Sequence, residues 1–291
     1  MNAPLQARQF DRTAEDVGNI VHLEHFNVTQ PDQRATTLFY VVALGGTRDP
    51  YLMVGLDNMW VNFGRTQVHL PSRDPQPQVV RGRIGFVVPE LAAVKARLQR
   101  VAARLEGTRF AFEDHGTHLD ATCPWGNRVR VHAPAPEYGR TQLGLVYIDF
   151  DVPPGTAAGI ARFYSEVLRA PARAAEGRAR VAVGQAQALY FTETDAAPAP
   201  YDGHHIQVYI ADFSGPYRWL AERGLITMET DAHEWRFQQI VDPQSARPLF
   251  EVEHEVRSLK HPLFARPLVN RNPDISNATY VAGAEAFRGT Y

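Results

Sequence analysis

The sequence predicts an α+β fold of four βαβββ units set in two halves. Three observations carry that expectation. Segments 23–46 (LEHFNVTQPDQRATTLFYVVALGG) and 145–170 (LVYIDFDVPPGTAAGIARFYSEVLRA) repeat one pattern. A second pair of like segments begins at Arg83, 58 residues after His25, and at His205, 58 residues after Tyr147. Each half then closes on a similar turn and short strand, which is the signature of a duplicated supersecondary unit. A length of 291 residues fits about two domains.

Each element follows from local pattern. In segments 23–46 and 145–170 an alternating apolar stretch reads as a strand, and Pro marks the turn. An amphipathic helix follows, carrying Phe39-Tyr40 with Leu44 in one copy and Phe163-Tyr164 with Leu168 in the other. RIGFVVPELAAVKARL and HIQVYIADFSGPYRWL are again strand, turn and helix. CPWGNRVRVHAP and DPQSARPLFEVEHE are turn and final strand. The units therefore span about 20–72, 80–135, 143–195 and 203–256, with the Pro-rich connector HAPAPEYGRTQ between the halves. Residues 1–19 read as a polar N-terminal arm. Residues 257–291 read as an extended tail, because three Pro in HEVRSLKHPLFARPLVNRNP prevent a long helix. Its Arg, His and Asn residues suit either a packing strap or a cover over an anionic substrate.

Composition excludes several functions. Lys plus Arg total 30 against 32 Asp plus Glu, a net charge of -2, which argues against a nucleic-acid or anionic-membrane binder. The single cysteine, Cys123, excludes an internal disulfide framework and a Cys-rich zinc site. The N-terminus has no apolar run of signal-peptide type and no stretch reaches the roughly 18 apolar residues of a membrane span. The expected setting is cytoplasmic. There is no GxxxxGK[ST], strand-linked GxGxxG, HExxH or GxSxG.

Four βαβββ units, the FY…L repeat after the first helix of each half and the turn before the last strand resemble the vicinal oxygen chelate superfamily, the group of glyoxalases, bleomycin-resistance proteins and extradiol dioxygenases. The resemblance covers roughly 20–256. It implies two tandem glyoxalase-like cupped-sheet domains, 20–135 and 143–256. It also implies a divalent metal inside a cup, with ligands on the first, fourth, fifth and last strands of a unit pair. Carried over within the first half, those positions fall on His25, His69, Arg83 and Arg130. Two cations where ligands are expected repel a metal, so the resemblance implies a lost metal site there, with these four residues left to bind substrate. In the second half the positions are Tyr147 with Asp149, then His205, then Glu253 or, in another register, Glu251. Glu251, Glu253 and Glu255 share one strand face, an acidic row that is costly to bury without a cation.

The expectation is therefore a metal-dependent enzyme with its site in the second half. His205, Glu253 and Asp149 hold Fe(II), or else Mn(II) or Zn(II). Tyr147, His205 and Glu253 act catalytically, and Tyr209 and Arg257 join His25, His69, Arg83 and Arg130 in binding substrate. The implied reaction is that of a dioxygenase-like oxidoreductase on a small oxygenated or aromatic substrate. A lyase or isomerase of the same superfamily, and a non-catalytic sequestering protein with Trp60 and Asn62 in its pocket, are the alternatives. The expected partners are the small-molecule substrate and a second copy of the chain in a homodimer.

Overall fold

The computed structural model describes residues 15–52, 57–197 and 199–283. Part of the expected N-terminal arm (1–14) and the end of the expected tail (284–291) lie outside the described residues.

Four βαβββ units follow one another. The first comprises β1 (Ile20–Asn27), helix α1 (Gln33–Thr36, continued over Thr37–Ala43), β2 (Thr47–Arg48), β3 (Asn58–Phe63) and β4 (Thr66–Pro71). The second comprises β5 (Gly82–Val87), α2 (Leu91–Ala102), β6 (Ala111–Asp114), β7 (His118–Thr122) and β8 (Arg128–His132). The third comprises β9 (Gly144–Val152), α3 (Ala157–Arg162, continued over Phe163–Val167), β10 (Ala172–Ala175), β11 (Arg178–Ala182) and β12 (Ala188–Glu193). The fourth comprises β13 (His205–Ile210), α4 (Ser214–Ala221), β14 (Ile226–Thr230), β15 (Glu234–Val241) and β16 (Pro248–Ser258).

The repeated Phe-Tyr…Leu spacing has a backbone cause. Helices α1 and α3 both widen into π-helix at that point. Leu44 N–H donates to Phe39 O (2.9 Å) and Leu168 N–H to Phe163 O (3.4 Å), the i→i+5 bond of a π-turn. The wider turn seats Phe39, Tyr40, Phe163 and Tyr164 together in the core, where all four are fully buried.

The units pair in a nested order. One eight-stranded sheet runs β14-β15-β16-β13-β1-β4-β3-β2 and unites the first unit with the fourth. The other runs β10-β11-β12-β9-β5-β8-β7-β6 and unites the second with the third. This corrects the expected division at 20–135 and 143–256: each cup takes one unit from each half. At the centre of the first sheet, β1 runs antiparallel to β13 with His25 opposite Gln207. At the centre of the second, β5 runs antiparallel to β9 with Ile84 opposite Ile148. The three connectors between units are of similar length, so chain distance does not discriminate between the two pairings. One hydrophobic core spans both sheets, with Phe86 of the second against Phe63 and Phe26 of the first (ring centroids 4.7 and 6.3 Å).

Residues 259–283 carry no helix or strand and cross the first sheet as a strap. Phe264 lies against the Tyr209 ring (4.9 Å), and Arg266 pairs with fully buried Asp49 (2.7 Å). Asn62 Nδ2 donates to Val269 O (3.0 Å), and Asn270 and Gly64 exchange two hydrogen bonds. No helix among the described residues is long and apolar enough to cross a membrane.

Candidate metal centre

Nested pairing assembles in the first sheet a set of side chains that neither half of the sequence holds alone. His25 comes from β1, His69 from β4, His205 from β13 and Glu255 from β16. Strand alternation puts them on one face: Gln207 aligns with both His25 and Glu255, and His205 and His69 both align with Asn27. Ligand atoms of His25, His69 and His205 lie within 4.8 Å of one another.

Each imidazole is oriented by a second contact. His25 Nδ1 meets Glu24 Oε2 at 3.3 Å. A carboxylate only accepts, so the proton sits on Nδ1 and Nε2 presents its lone pair. His69 Nε2 meets Asn58 Oδ1 at 2.5 Å, which leaves Nδ1 as its lone-pair nitrogen, and its ring stacks on Trp60 (3.8 Å, 11°). His205 Nε2 stands 3.3 Å from Glu255 Oε2, and its Nδ1 stands 3.7 Å from Glu253 Oε1. His25 Nε2, His69 Nδ1 and His205 Nε2 are all buried without a hydrogen-bond partner, a costly state for polar atoms. Burial holds His25 well below the ordinary histidine range. Burial, with His25 and His205 beside it, pushes His69 down to about 2. These two imidazoles are neutral at physiological pH, the form that ligates metal.

Glu24 reaches the site through a β-bulge. The register between β1 and β13 shifts between Leu23 and His25, and the extra residue re-aims the Glu24 side chain into the cup. There it meets Arg257 (3.4 Å) and accepts from Tyr209 OH (3.4 Å). Burial raises its carboxyl against the pull of Arg257. Arg236 on β15 binds Glu234 (2.9 Å), Glu253 (2.8 Å) and Glu255 (2.6 Å). Arg257 also pairs with Glu234 and Glu255. Burial opposes the charge of Glu255, but His205 and Arg257 hold its carboxyl well below the usual range. Four carboxylates against two guanidinium groups leave two negative charges in a nearly closed cup when all are ionised. One divalent cation balances that excess, and the lone-pair nitrogens of His25 and His69, with His205 and the Glu255 carboxylate beside them, suit it chemically.

The expected ligand set is thereby redistributed. His205 is in the cup. His25 and His69, assigned above to a half that had lost its site, stand beside it. Glu253 faces the cup but is engaged by Arg236 and is 24% exposed on its side chain, whereas Glu255 is 3% exposed and nearer His205. Glu251 lies further along the strand, bonded to Gln238. Asp149 and Tyr147 are in the other sheet and do not meet His205. Asp149 pairs with Arg178 (2.7 Å) and accepts from Thr192 Oγ1 (2.7 Å). Arg83 and Arg130 are also in that sheet, so they neither repel a metal beside His25 nor share a pocket with it. Arg130 binds Asp120 through two bonds of 2.7 Å, and Arg83 lies 3.8 Å from the same carboxylate. The second cup is plugged at its centre. The Tyr147 ring lies over Gly85, where an added Cβ would come within 2.2 Å of it, and Tyr147 OH bonds His132 (3.0 Å). Tyr209 and Arg257 are in the first cup, around Glu24. Glu24, Asn58, Glu234 and Arg236 were not identified from sequence. The Glu24-His25 doublet was visible, but alternation sends adjacent residues to opposite faces and the bulge leaves no local signature.

No protein-family model matches the sequence, and no curated protein matches it. Solved structures do resemble it. A candidate dioxygenase from Bacillus subtilis is 12% identical, with a TM-score of 0.56 over 84% of this chain and 86% of that one. The chain shares the overall fold of that structure. Glyoxalase I from Zea mays is also 12% identical, with a TM-score of 0.56 over 81% of this chain and 92% of that one. At these identities the likeness concerns the fold.

Proposed function

We propose that the protein is a metal-dependent enzyme whose centre is the first cup, with His25, His69, His205 and Glu255 holding a divalent cation, Fe(II) in the first place. The observation that carries this reading is the convergence of three buried imidazoles, two of them with unpartnered lone-pair nitrogens, beside a carboxylate cluster with two excess negative charges. When bound, the metal supplies a Lewis acid for two oxygens of a small substrate and, as Fe(II), a centre that reacts with O2.

The chain's own residues prepare that chemistry. Glu24 and Asn58 fix the tautomers of His25 and His69. Arg236 and Arg257 hold Glu255 in one orientation. Trp60, 8% exposed, and the strap with Phe264 and Arg266 exclude water from the inner wall. Each cup carboxylate is engaged by a guanidinium group, which leaves none free to carry a proton between substrate carbons. That favours a dioxygenase-like oxidation of an oxygenated or aromatic substrate over an isomerisation. The test is metal content followed by oxygen uptake. Purified protein reconstituted with Fe(II), Mn(II) or Zn(II) is expected to hold about one equivalent, and His205→Ala and Glu255→Ala to lose it. The Fe(II) form is expected to consume O2 with a vicinal diol from a catechol panel. Wild-type protein that retains no metal would remove the basis of the reading. Metal retention with isomerase turnover and no O2 uptake would replace the oxidase by its sibling.

A further inference from the structure

A cavity of about 520 Å³ lies at the seam between the two sheets; it shares Glu24 with the metal cup but is lined by none of the three clustered histidines. That volume is within the range of small-molecule sites. Its floor is the start of β1 and the start of β9, and its roof is the strap. The walls are tied together by hydrogen bonds. Gln187 Nε2 donates to Leu23 O (2.8 Å) and to Leu145 O (2.9 Å), and its Oε1 accepts from Leu23 N–H (3.1 Å). Leu145 N–H donates to Thr66 Oγ1 (2.8 Å). One side chain therefore bridges the central strands of both sheets, which keeps the cavity open instead of letting the seam collapse.

The lining has two characters. Val21, Leu143, Leu145, Phe264, Pro267 and Leu268 give an apolar interior. Arg65 and Arg140 stand on the wall, are exposed, and pair with no acidic group among the described residues. The third arginine, Arg266, is neutralised by Asp49, and the one carboxylate in the lining, Glu24, is engaged by Arg257. The rim is thus cationic while the interior is apolar.

We propose that this seam cavity is a binding site for a small amphipathic anion, with an acyl or aryl body in the apolar interior and a carboxylate or sulfonate at the arginine rim. The site is separate from the metal reading, and its test uses metal-free protein so that either can fail alone. The full chain is titrated with 8-anilinonaphthalene-1-sulfonate, and octanoate serves as competitor. One saturable site displaced by octanoate is expected. Arg65→Ala/Arg140→Ala, two exposed positions that leave the core intact, is expected to weaken the sulfonate about tenfold or more while neutral N-phenyl-1-naphthylamine still binds. Thr141→Trp, which fills the cavity from its wall, is expected to abolish binding of both probes. The absence of saturable binding to wild type would overturn the proposal, as would sulfonate binding that the arginine double variant leaves unchanged.

Discussion

His69 shows how much one contact decides. Its Nε2 proton goes to Asn58, so its other nitrogen faces the cluster with a lone pair. Asn58→Leu removes that acceptor and frees the tautomer. Metal affinity is expected to fall about 10- to 100-fold, read by competition with a chromophoric zinc chelator, and an unchanged affinity would deny Asn58 its orienting role. In the second cup, Gly85 is held by sterics, because a methyl there meets the Tyr147 ring. Gly85→Ala is expected to cost about 1–3 kcal/mol, seen as a lower urea midpoint. A midpoint equal to wild type would mean that the ring moves aside freely. The resemblance singled out His25, His69 and His205 in the sequence, but it assigned only His205 to a metal and left His25 and His69 to the substrate. Glu255 was harder to single out. Three glutamates share the face, and only the position of Gln207 between His25 and Glu255 selects it.

Strand β16 carries two environments on its two faces. Inward it presents Glu253, Glu255 and Arg257. Outward it presents His254, fully buried against Phe237 (4.3 Å, stacked). Tyr164 OH lies 2.6 Å from His254 Nε2, and His254 Nδ1 donates to Val252 O (2.9 Å). Burial pushes His254 down to about 4 from an ordinary 6.5. The unfolded chain therefore binds this proton more readily than the folded one. The stabilisation is fully present above pH 6.5 and is lost as pH falls towards 4, by about 3 kcal/mol from this residue. Urea unfolding across that window should show the slope, and His254→Gln should reduce it by this residue's share. An equal slope in the variant would assign the acid sensitivity elsewhere. Elements of this kind were legible because strand alternation and the Phe-Tyr…Leu repeat are local. The π-turns at Phe39 and Phe163 were marked only by the five-residue spacing, whose meaning lies in the backbone bond.

At the scale of the molecule, the four units and the two cups could be anticipated from the repeat, but their pairing could not. Local pattern fixes what a strand is, whereas partner choice depends on which faces bury together, and connectors of similar length permit both arrangements. Positions carried over within each half met Arg83 and Arg130, although the fourth unit completes the first. Nested pairing predicts that fragments 1–135 and 136–291, each lacking half of both sheets, are not cooperatively folded alone. Mixing them should recover native circular dichroism and a 1:1 complex on gel filtration. A cooperative transition in either isolated fragment would contradict the observed pairing. The same topology sets an order in time. The second sheet needs only residues up to Glu193, so it can close while the chain is still being made. The first sheet joins residues as far apart as Glu24 and Arg257, separated by 233 positions, and forming that contact closes a long loop at an entropic cost. His25 waits for Glu255, which lies 230 positions later in the chain. The four proposed metal ligands can therefore come together only once β16 has been made.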